Sequence, residues 1–118
     1  MRKSSEPQRD RTVAILEDLI RFTDTAARLV TRGKSVYDSD EAVRLAAEAI
    51  LHKIGEAVAR LPDEFVGTHP DVAWRSMKAT RNIVAHRYDQ VDYEIIWNAL
   101  ARRLPVEADR IRLILENR

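Results

Sequence analysis

Apolar residues recur every three or four positions along most of the chain, which is the spacing of one face of an α-helix. Across residues 10–30 the apolar positions form a wide stripe, which predicts a first helix buried on two sides. Gly33 predicts the end of this helix, because glycine readily adopts the left-handed conformation that often follows a helix. Asp38, Ser39 and Asp40 offer N-caps for a second helix, whose apolar positions run on to Leu61 before Pro62.

The second half of the chain continues the helical spacing after a connector through Gly67 and His69. Pro70 suits the first turn of a third helix that runs to about His86. Asp92 is placed to cap a fourth helix, and Pro105 predicts a break before a short fifth one. No stretch shows a two-residue alternation. The pattern therefore predicts an all-α, up-and-down bundle of four or five helices over residues 10–118, preceded by a flexible tail at residues 1–9.

Size and composition fit this prediction. The chain has 118 residues, of which 45% are hydrophobic and 33% charged, which suits one globular domain. Cysteine is absent, which excludes disulfides and thiolate metal sites. No apolar run approaches the ~20 residues that cross a bilayer, and the polar N-terminal stretch has no secretory signal. We expect a cytoplasmic protein that needs no membrane, metal or cofactor.

The charge is nearly balanced overall but unevenly distributed. The formal net charge is +1, yet residues 74–88 contain four positive residues, one histidine and no acid. The positive residues are Arg75, Lys78, Arg81 and Arg87. We expect Arg75, Lys78 and Arg87 to bind phosphate groups, because a positive strip on a neutral protein holds a phosphate without attracting every polyanion.

The third helix separates these residues onto two faces at about 100° per residue. One stripe is predicted to pack inward and comprises Ala73, Met77, Thr80 and Val84. The opposite face carries Arg75, Lys78, Asn82 and His86. Arg81 lies at the edge of the packed stripe, about 140° from His86. The two meet only if the helix ends near His86, if Arg81 reaches around it, or if a second copy of the chain contributes.

This set of side chains has a specific chemistry. An imidazole such as His86 can take or give a proton near neutral pH, and a guanidinium such as Arg81 can hold two phosphate oxygens. Asn82 can orient the imidazole or bind a phosphate oxygen. Together they suffice for RNA cleavage without a metal, in which the 2′-hydroxyl attacks its own phosphodiester. The ordinary alternative is a basic helix end that is favoured by the helix dipole, and residue types alone leave both interpretations open.

Two neighbouring residues of the second helix raise separate questions. Gly55 costs a helix ~1 kcal/mol relative to alanine, and close helix packing is the expected reason for it. Glu56 is either a solvated charge or a partner for an active-site arginine, and the sequence favours the solvated charge. We expect three aromatic residues to serve the core or an interface rather than to stack on bases: Tyr37, Tyr93 and Trp97.

The octamer RNIVAHRY contains Arg81, His86 and Tyr88 in the spacing R-x4-H-x-Y. This motif resembles that of HepT-type toxins in the HEPN superfamily of helical ribonucleases. Three flanking blocks resemble the family in the same order and at the same spacing, namely IGEAVARLPDEF (54–65), HPDVAWRSM (69–77) and VDYEIIW (91–97). The resemblance covers most of residues 10–115.

The resemblance implies a HEPN-like bundle that forms a homodimer, with the motifs of two subunits meeting in a shared cleft. Arg81 and His86 would be the catalytic pair, supported by Asn82. The partner would be an MntA-type nucleotidyltransferase antitoxin that transfers AMP to Tyr88, which would block RNA by charge and bulk. The alternative is a non-catalytic helical dimer that binds nucleotide or RNA and docks such a nucleotidyltransferase.

Overall fold

The structure is a computed structural model. It describes the backbone of residues 2–85 and 92–117, and the side chains of residues 9–82 and 92–117. The predicted all-α fold is confirmed, since these residues form helices and no strand. The elements are α1 (Arg2–Val30), α2 (Lys34–Ser39), α3 (Glu41–Ala59), α4 (Asp63–Thr68), α5 (Trp74–Ala85), α6 (Tyr93–Asn98), a π-helical segment (Ala99–Arg103) and α7 (Leu104–Glu116).

The core lies where the long helices face one another. α3 packs against α5 on one side and α1 on another, and α1 also packs against α7. The largest fully buried side chains come from six elements and are Leu16, Leu19, Tyr37, Leu51, Ile54, Ile96, Leu100 and Ile111. Full burial of one such side chain contributes about 1.5–3 kcal/mol, so these contacts hold the bundle together.

The helix ends that the sequence predicted at three positions are confirmed. Gly33 follows α1 with a φ of 98°, in the left-handed region that favours glycine. The side chain of Asp40 caps α3 by accepting a hydrogen bond from the backbone N–H of Ala42. Asp92 caps α6 in the same way, accepting from Glu94 and Ile95.

Two short helices, α2 and α4, were not predicted, and tertiary contacts explain why α2 forms. A six-residue helix is marginally stable by itself, because the entropy lost on forming the first turn exceeds the stabilisation from its few hydrogen bonds. In α2 the ring of Tyr37 is fully buried, and its hydroxyl donates to the carbonyl oxygen of Tyr93 at 2.8 Å. Arg44 donates to the last carbonyls of α2, at Tyr37 (3.0 Å) and Asp38 (2.6 Å). The other short helix, α4, occupies part of the stretch predicted as a connector.

The third predicted helix begins later than expected, at Trp74 instead of Pro70. The indole of Trp74 donates to the carbonyl oxygen of His69 at 2.8 Å, which fixes the turn before the helix. A carboxylate oxygen of Glu107 accepts from the backbone N–H of Ala73 at 2.9 Å. The start of α5 is therefore set by a residue 34 positions away in the chain.

The break predicted at Pro105 is wrong, because the chain stays helical through it. The backbone N–H of Leu104 bonds to the carbonyl of Ala99, five residues earlier, in the wider π register. Pro105 follows in the first turn of α7. The change of register places proline, which has no N–H to donate, where the helix already rearranges its hydrogen bonds.

At the N-terminus α1 begins at Arg2, so the segment predicted as a flexible tail has a helical backbone. Its flexibility stays a prediction. Across residues 2–85 and 92–117, no helix combines the length and the apolar character that a bilayer crossing requires.

Candidate functional site

α5 carries the predicted site, and its two faces are those that the sequence predicted. Met77 and Thr80 are buried, whereas Arg75, Lys78 and Asn82 are exposed. Arg81 is half-buried at the edge of the packed stripe. The remaining predicted site residues lie outside the described residues: His86, Arg87 and Tyr88. The side chain of Val84, predicted for the packed stripe, also lies outside them.

The guanidinium of Arg81 forms an ion pair with Glu56 of α3. Arg81 Nη1 lies 3.0 Å from Glu56 Oε2, within hydrogen-bond distance. The side chains are 32% and 51% exposed, so solvent reaches both. Of the two interpretations that the sequence left open, it favoured a solvated charge over a partner for an arginine, and the structure shows an exposed Glu56 that does pair with Arg81. The sequence gives no distance between α3 and α5, so it could not decide between the two.

Gly55 explains how the two helices come close enough for this pair. A Cβ atom placed on Gly55 would lie 2.7 Å from Arg81 Cβ, 3.1 Å from Arg81 N and 3.2 Å from the carbonyl oxygen of Lys78. No side chain fits in that space, so the prediction that Gly55 serves close packing is confirmed. Glu56, which follows Gly55 in the chain, is the residue that forms the ion pair with Arg81.

Hydrogen bonds join α5 to two neighbouring elements. The hydroxyl of Thr80 is buried and lies 2.7 Å from the carbonyl oxygen of Met77 and 3.2 Å from that of Leu51, on α3. One turn earlier on α5, the guanidinium of Arg103 in the π-helical segment donates to the hydroxyl of Ser76. The sequence pattern did not predict a role for Arg103, which brings a further cation next to α5.

The outer face of α5 is positively charged and not neutralised locally. Arg75 and Lys78 pair with no carboxylate among residues 9–82 and 92–117. Some cations elsewhere, namely Lys34, Arg21 and Arg112, each pair with an acid. Arg28 and Arg32 are exposed and, among the described residues, lack a carboxylate partner as Arg75 and Lys78 do. A surface with exposed, unpaired cations attracts anions over a Debye length of about 8–10 Å. Arg75 and Lys78 therefore add exposed positive charge to this face.

Of the aromatic residues predicted for the core or an interface, Tyr37 is buried in the core, and Tyr93 and Trp97 are partly buried against it. The ring of Tyr37 packs 4.9 Å from that of Trp97 and 6.4 Å from that of Tyr93. Burial raises the pKa of the Tyr37 phenol, because charging it would require water that the site excludes. The hydrogen bond that Tyr93 donates to Glu48 raises the pKa of Tyr93.

The other two histidines have ordinary surroundings. His52 is exposed on α3. The ring of His69 stacks on Phe65 at 4.2 Å, and its Nδ1 lies 2.9 Å from the Phe65 carbonyl oxygen. Within the part of the chain that the structure describes, no three His, Asp or Glu side chains group as a metal site would require.

A cavity of about 710 Å³ lies away from α5, between α1, α4 and α7. Its walls are mainly apolar and include Val13, Leu16, Phe65 and Ile114. Of the predicted site residues whose side chains the structure describes, Arg75, Lys78, Arg81 and Asn82, none lines it.

Comparison with known proteins places the chain in a family. The model of the family described as Ribonuclease HepT-like matches residues 11–114. A Methanocaldococcus jannaschii protein named "Putative RNase" is 33% identical over 78 residues, which are 66% of this chain and 64% of that protein. A "Putative RNase" of Caldanaerobacter subterraneus subsp. tengcongensis is 36% identical over 66 residues, covering 56% of this chain and 59% of that one.

A third relative, the "Probable ribonuclease HepT" of Thermococcus cleftensis, is 32% identical over 66 residues, or 56% of this chain and 60% of the relative. The chain thus spans about three fifths of the length of these curated relatives. No solved structure matches it. Because the family match runs from the middle of α1 into α7, the chain belongs to the HepT-like family, as its R-x4-H-x-Y motif suggested.

Proposed function

We propose that this protein is a metal-independent endoribonuclease toxin whose site is the exposed face of α5. The observation that supports this most directly is the pairing of Arg81 with Glu56 on a helix whose other exposed cations have no carboxylate partner among the described residues. That arrangement presents an oriented guanidinium beside a phosphate-attracting surface. The names of the relatives, which refer to ribonucleases, support the same activity.

The proposed reaction is attack by the ribose 2′-oxygen on the adjacent phosphorus. The bond from phosphorus to the 5′-oxygen breaks, leaving a 2′,3′-cyclic phosphate and a free 5′-hydroxyl. His86 removes the 2′-proton while water protonates the leaving oxygen, or His86 protonates the leaving oxygen while water accepts the 2′-proton. Arg81 binds two non-bridging oxygens and stabilises the extra negative charge of the transition state. Asn82 orients the imidazole or a phosphate oxygen, and Arg75, Lys78 and Arg87 hold the flanking phosphates.

A homodimer completes the proposed site. Arg81 and His86 are five residues apart, which on a straight helix separates their directions by about 140°. Two subunits that bring their α5 helices together could place the guanidinium of one beside the imidazole of the other. The half-exposed position of Arg81 leaves its side chain reachable by a second copy.

We propose that an MntA-type nucleotidyltransferase antitoxin neutralises the enzyme, in the cytoplasm, by modifying Tyr88. The phenol oxygen attacks the α-phosphorus of ATP and pyrophosphate leaves, so that Tyr88 carries AMP and its proton passes to solvent or to a base of the antitoxin. The added phosphodiester charge would repel RNA from His86. Incubation with ATP and the antitoxin should add the mass of one or two AMP groups to the protein but not to Tyr88→Phe. Equal labelling of that variant would contradict the assignment.

The nuclease activity is tested by incubating the purified protein with RNA in excess EDTA. We expect cleavage with 2′,3′-cyclic phosphate ends, because no step uses a metal. Arg81→Ala and His86→Ala should each lower the rate ~10²–10⁴-fold, as expected for a lost transition-state contact or proton carrier. The control is Arg28→Ala, which removes an exposed arginine from α1.

Two results would contradict the proposal. Cleavage that survives both Arg81→Ala and His86→Ala would show that the site is elsewhere. Retention of RNA without any cleavage would favour the non-catalytic binding dimer instead.

A further inference from the structure

We infer that Glu56 is a positioning residue that holds the guanidinium of Arg81 in the orientation needed to clamp the scissile phosphate. This inference rests on the proposed function. Its basis is the contact of 3.0 Å between Arg81 Nη1 and Glu56 Oε2, which joins α5 to α3. Glu56 would not touch the RNA and would act only through the arginine.

The geometry of the pair leaves the arginine able to bind a phosphate. A guanidinium has five N–H donors in a fixed plane, and Glu56 uses a donor on Nη1. The donors on Nη2 and Nε point along another edge of the same plane, which can contact two phosphate oxygens side by side. A carboxylate at Nη1 thus fixes the plane of the guanidinium without occupying that edge.

The backbone around the pair is rigid, which makes the orientation reproducible. Gly55 lets α3 approach so closely that its missing Cβ would lie 2.7 Å from Arg81 Cβ. The root of the arginine side chain is therefore fixed by packing, and Glu56 fixes the far end. An arginine held at both ends loses little rotamer freedom when it meets the phosphate, which is the advantage of preorganisation.

The exposure of the pair separates this role from a structural one. Ion pairs whose side chains are 32% and 51% exposed contribute little to folding stability, since solvent screens them. Loss of Glu56 should therefore change the turnover rate much more than the melting temperature. A residue that merely held the fold together would change both.

The test compares Glu56→Gln with a matched ion-pair variant, Asp24→Asn. Asp24 pairs with Arg112 at 2.8 Å, joins α1 to α7 and is likewise 51% exposed, but it lies outside the proposed site. We expect Glu56→Gln to lower kcat ~10–100-fold with little change in KM or Tm, because a misplaced clamp costs rate rather than binding. Glu56→Asp keeps the charge on a shorter side chain, so its kcat should lie between those of Glu56→Gln and the unmodified protein. Asp24→Asn should cleave as the unmodified protein does.

A second measurement follows Arg81 directly. The heteronuclear NOE of the Arg81 Nε–Hε group, assigned by its disappearance in Arg81→Lys, should be high in the unmodified protein and in Asp24→Asn. It should drop in Glu56→Gln as the side chain becomes mobile. An unchanged NOE, or a kcat for Glu56→Gln equal to that of Asp24→Asn, would overturn the inference. Failure of the proposed function is a different result, namely full cleavage by Arg81→Ala.

Discussion

The placement of Arg81 depends on a residue that contributes no side chain. Gly55 faces the Cβ and backbone nitrogen of Arg81 and the carbonyl oxygen of Lys78, all within 3.2 Å of where its Cβ would be. These atoms belong to the body of α5 and cannot swing aside as the tip of a long side chain would. The distance between α3 and α5 at the site is therefore determined by the absence of one methyl group.

We predict that Gly55→Ala destabilises the protein although alanine is the better helix former. Overpacking should cost about 1–3 kcal/mol, which exceeds the ~1 kcal/mol gained from helix propensity. Gly67→Ala is the matched control, because nothing lies within 4 Å of a Cβ placed on Gly67, in α4. That variant should gain ~0.5–1 kcal/mol. Urea unfolding of both variants measures the two changes, and a stable Gly55→Ala protein would show that the helices separate easily.

Among single residues, Arg81 and Glu56 show what the sequence could and could not tell. The helical period placed Arg81 at the edge of the packed stripe, where the structure has it. The same reasoning favoured a solvated Glu56, because no local rule gives the distance between residues 25 positions apart. An ion pair between two helices, such as that of Glu56 with Arg81, can be identified only when the packing of the helices is known.

At the scale of elements, the sequence predicted those helix ends that depend on local chemistry. Gly33, Asp40 and Asp92 act through their own backbone or on the next few residues, so the residue type alone predicts the helix end. The start of α5 at Trp74 could not be predicted in the same way, because it depends on the distant carboxylate of Glu107, which accepts from the N–H of Ala73. The short helix α2 could not be predicted either, because its stability comes from tertiary contacts.

The exposed face of α5 leads to a prediction about RNA binding. The double variant Arg75→Ala/Lys78→Ala should weaken binding across RNA sequences alike, because phosphate contacts carry no sequence information. The slope of log Kd against log salt should fall by roughly 1.4, at about 0.7 for each lost contact with a single strand. Fluorescence anisotropy at several salt concentrations measures both quantities.

The matched control for this prediction is Arg28→Ala/Arg32→Ala, which removes two exposed cations at the end of α1 and just beyond it. It should leave the salt slope nearly unchanged. Equal effects of the two double variants would mean that RNA is attracted by total charge and that α5 has no special part.

At the scale of the whole molecule, the buried phenol of Tyr37 couples stability to alkaline pH. Burial raises its pKa above the unfolded value of about 10, so the folded state keeps a proton that the unfolded state loses. The associated stability is present in full below pH ~10 and is lost as the pH rises above it, by up to about 1.4 kcal/mol per pH unit. The pKa of Tyr93 is also raised, by its hydrogen bond to Glu48, so Tyr93 likewise makes the folded state less stable as the pH rises.

The prediction is that Tyr37→Phe flattens this alkaline fall. At pH 8 the variant should be about 1 kcal/mol less stable, because the Tyr93 carbonyl loses the 2.8 Å hydrogen bond. From pH 10 to 11 the gap between the two proteins should narrow, since only the unmodified protein has this phenol to titrate. Urea unfolding at pH 8, 10 and 11 measures the difference. A gap that stays constant would show that Tyr37 titrates as an ordinary phenol.

The carboxylate of Glu107 at the start of α5 has a consequence for synthesis. A ribosome makes the helix that carries Arg81 well before it makes the residue that caps that helix. A nascent chain ending before position 107 lacks the acceptor for the N–H of Ala73, just before that helix. The turn that leads into α5 is therefore completed only after α7 has begun to emerge and fold back.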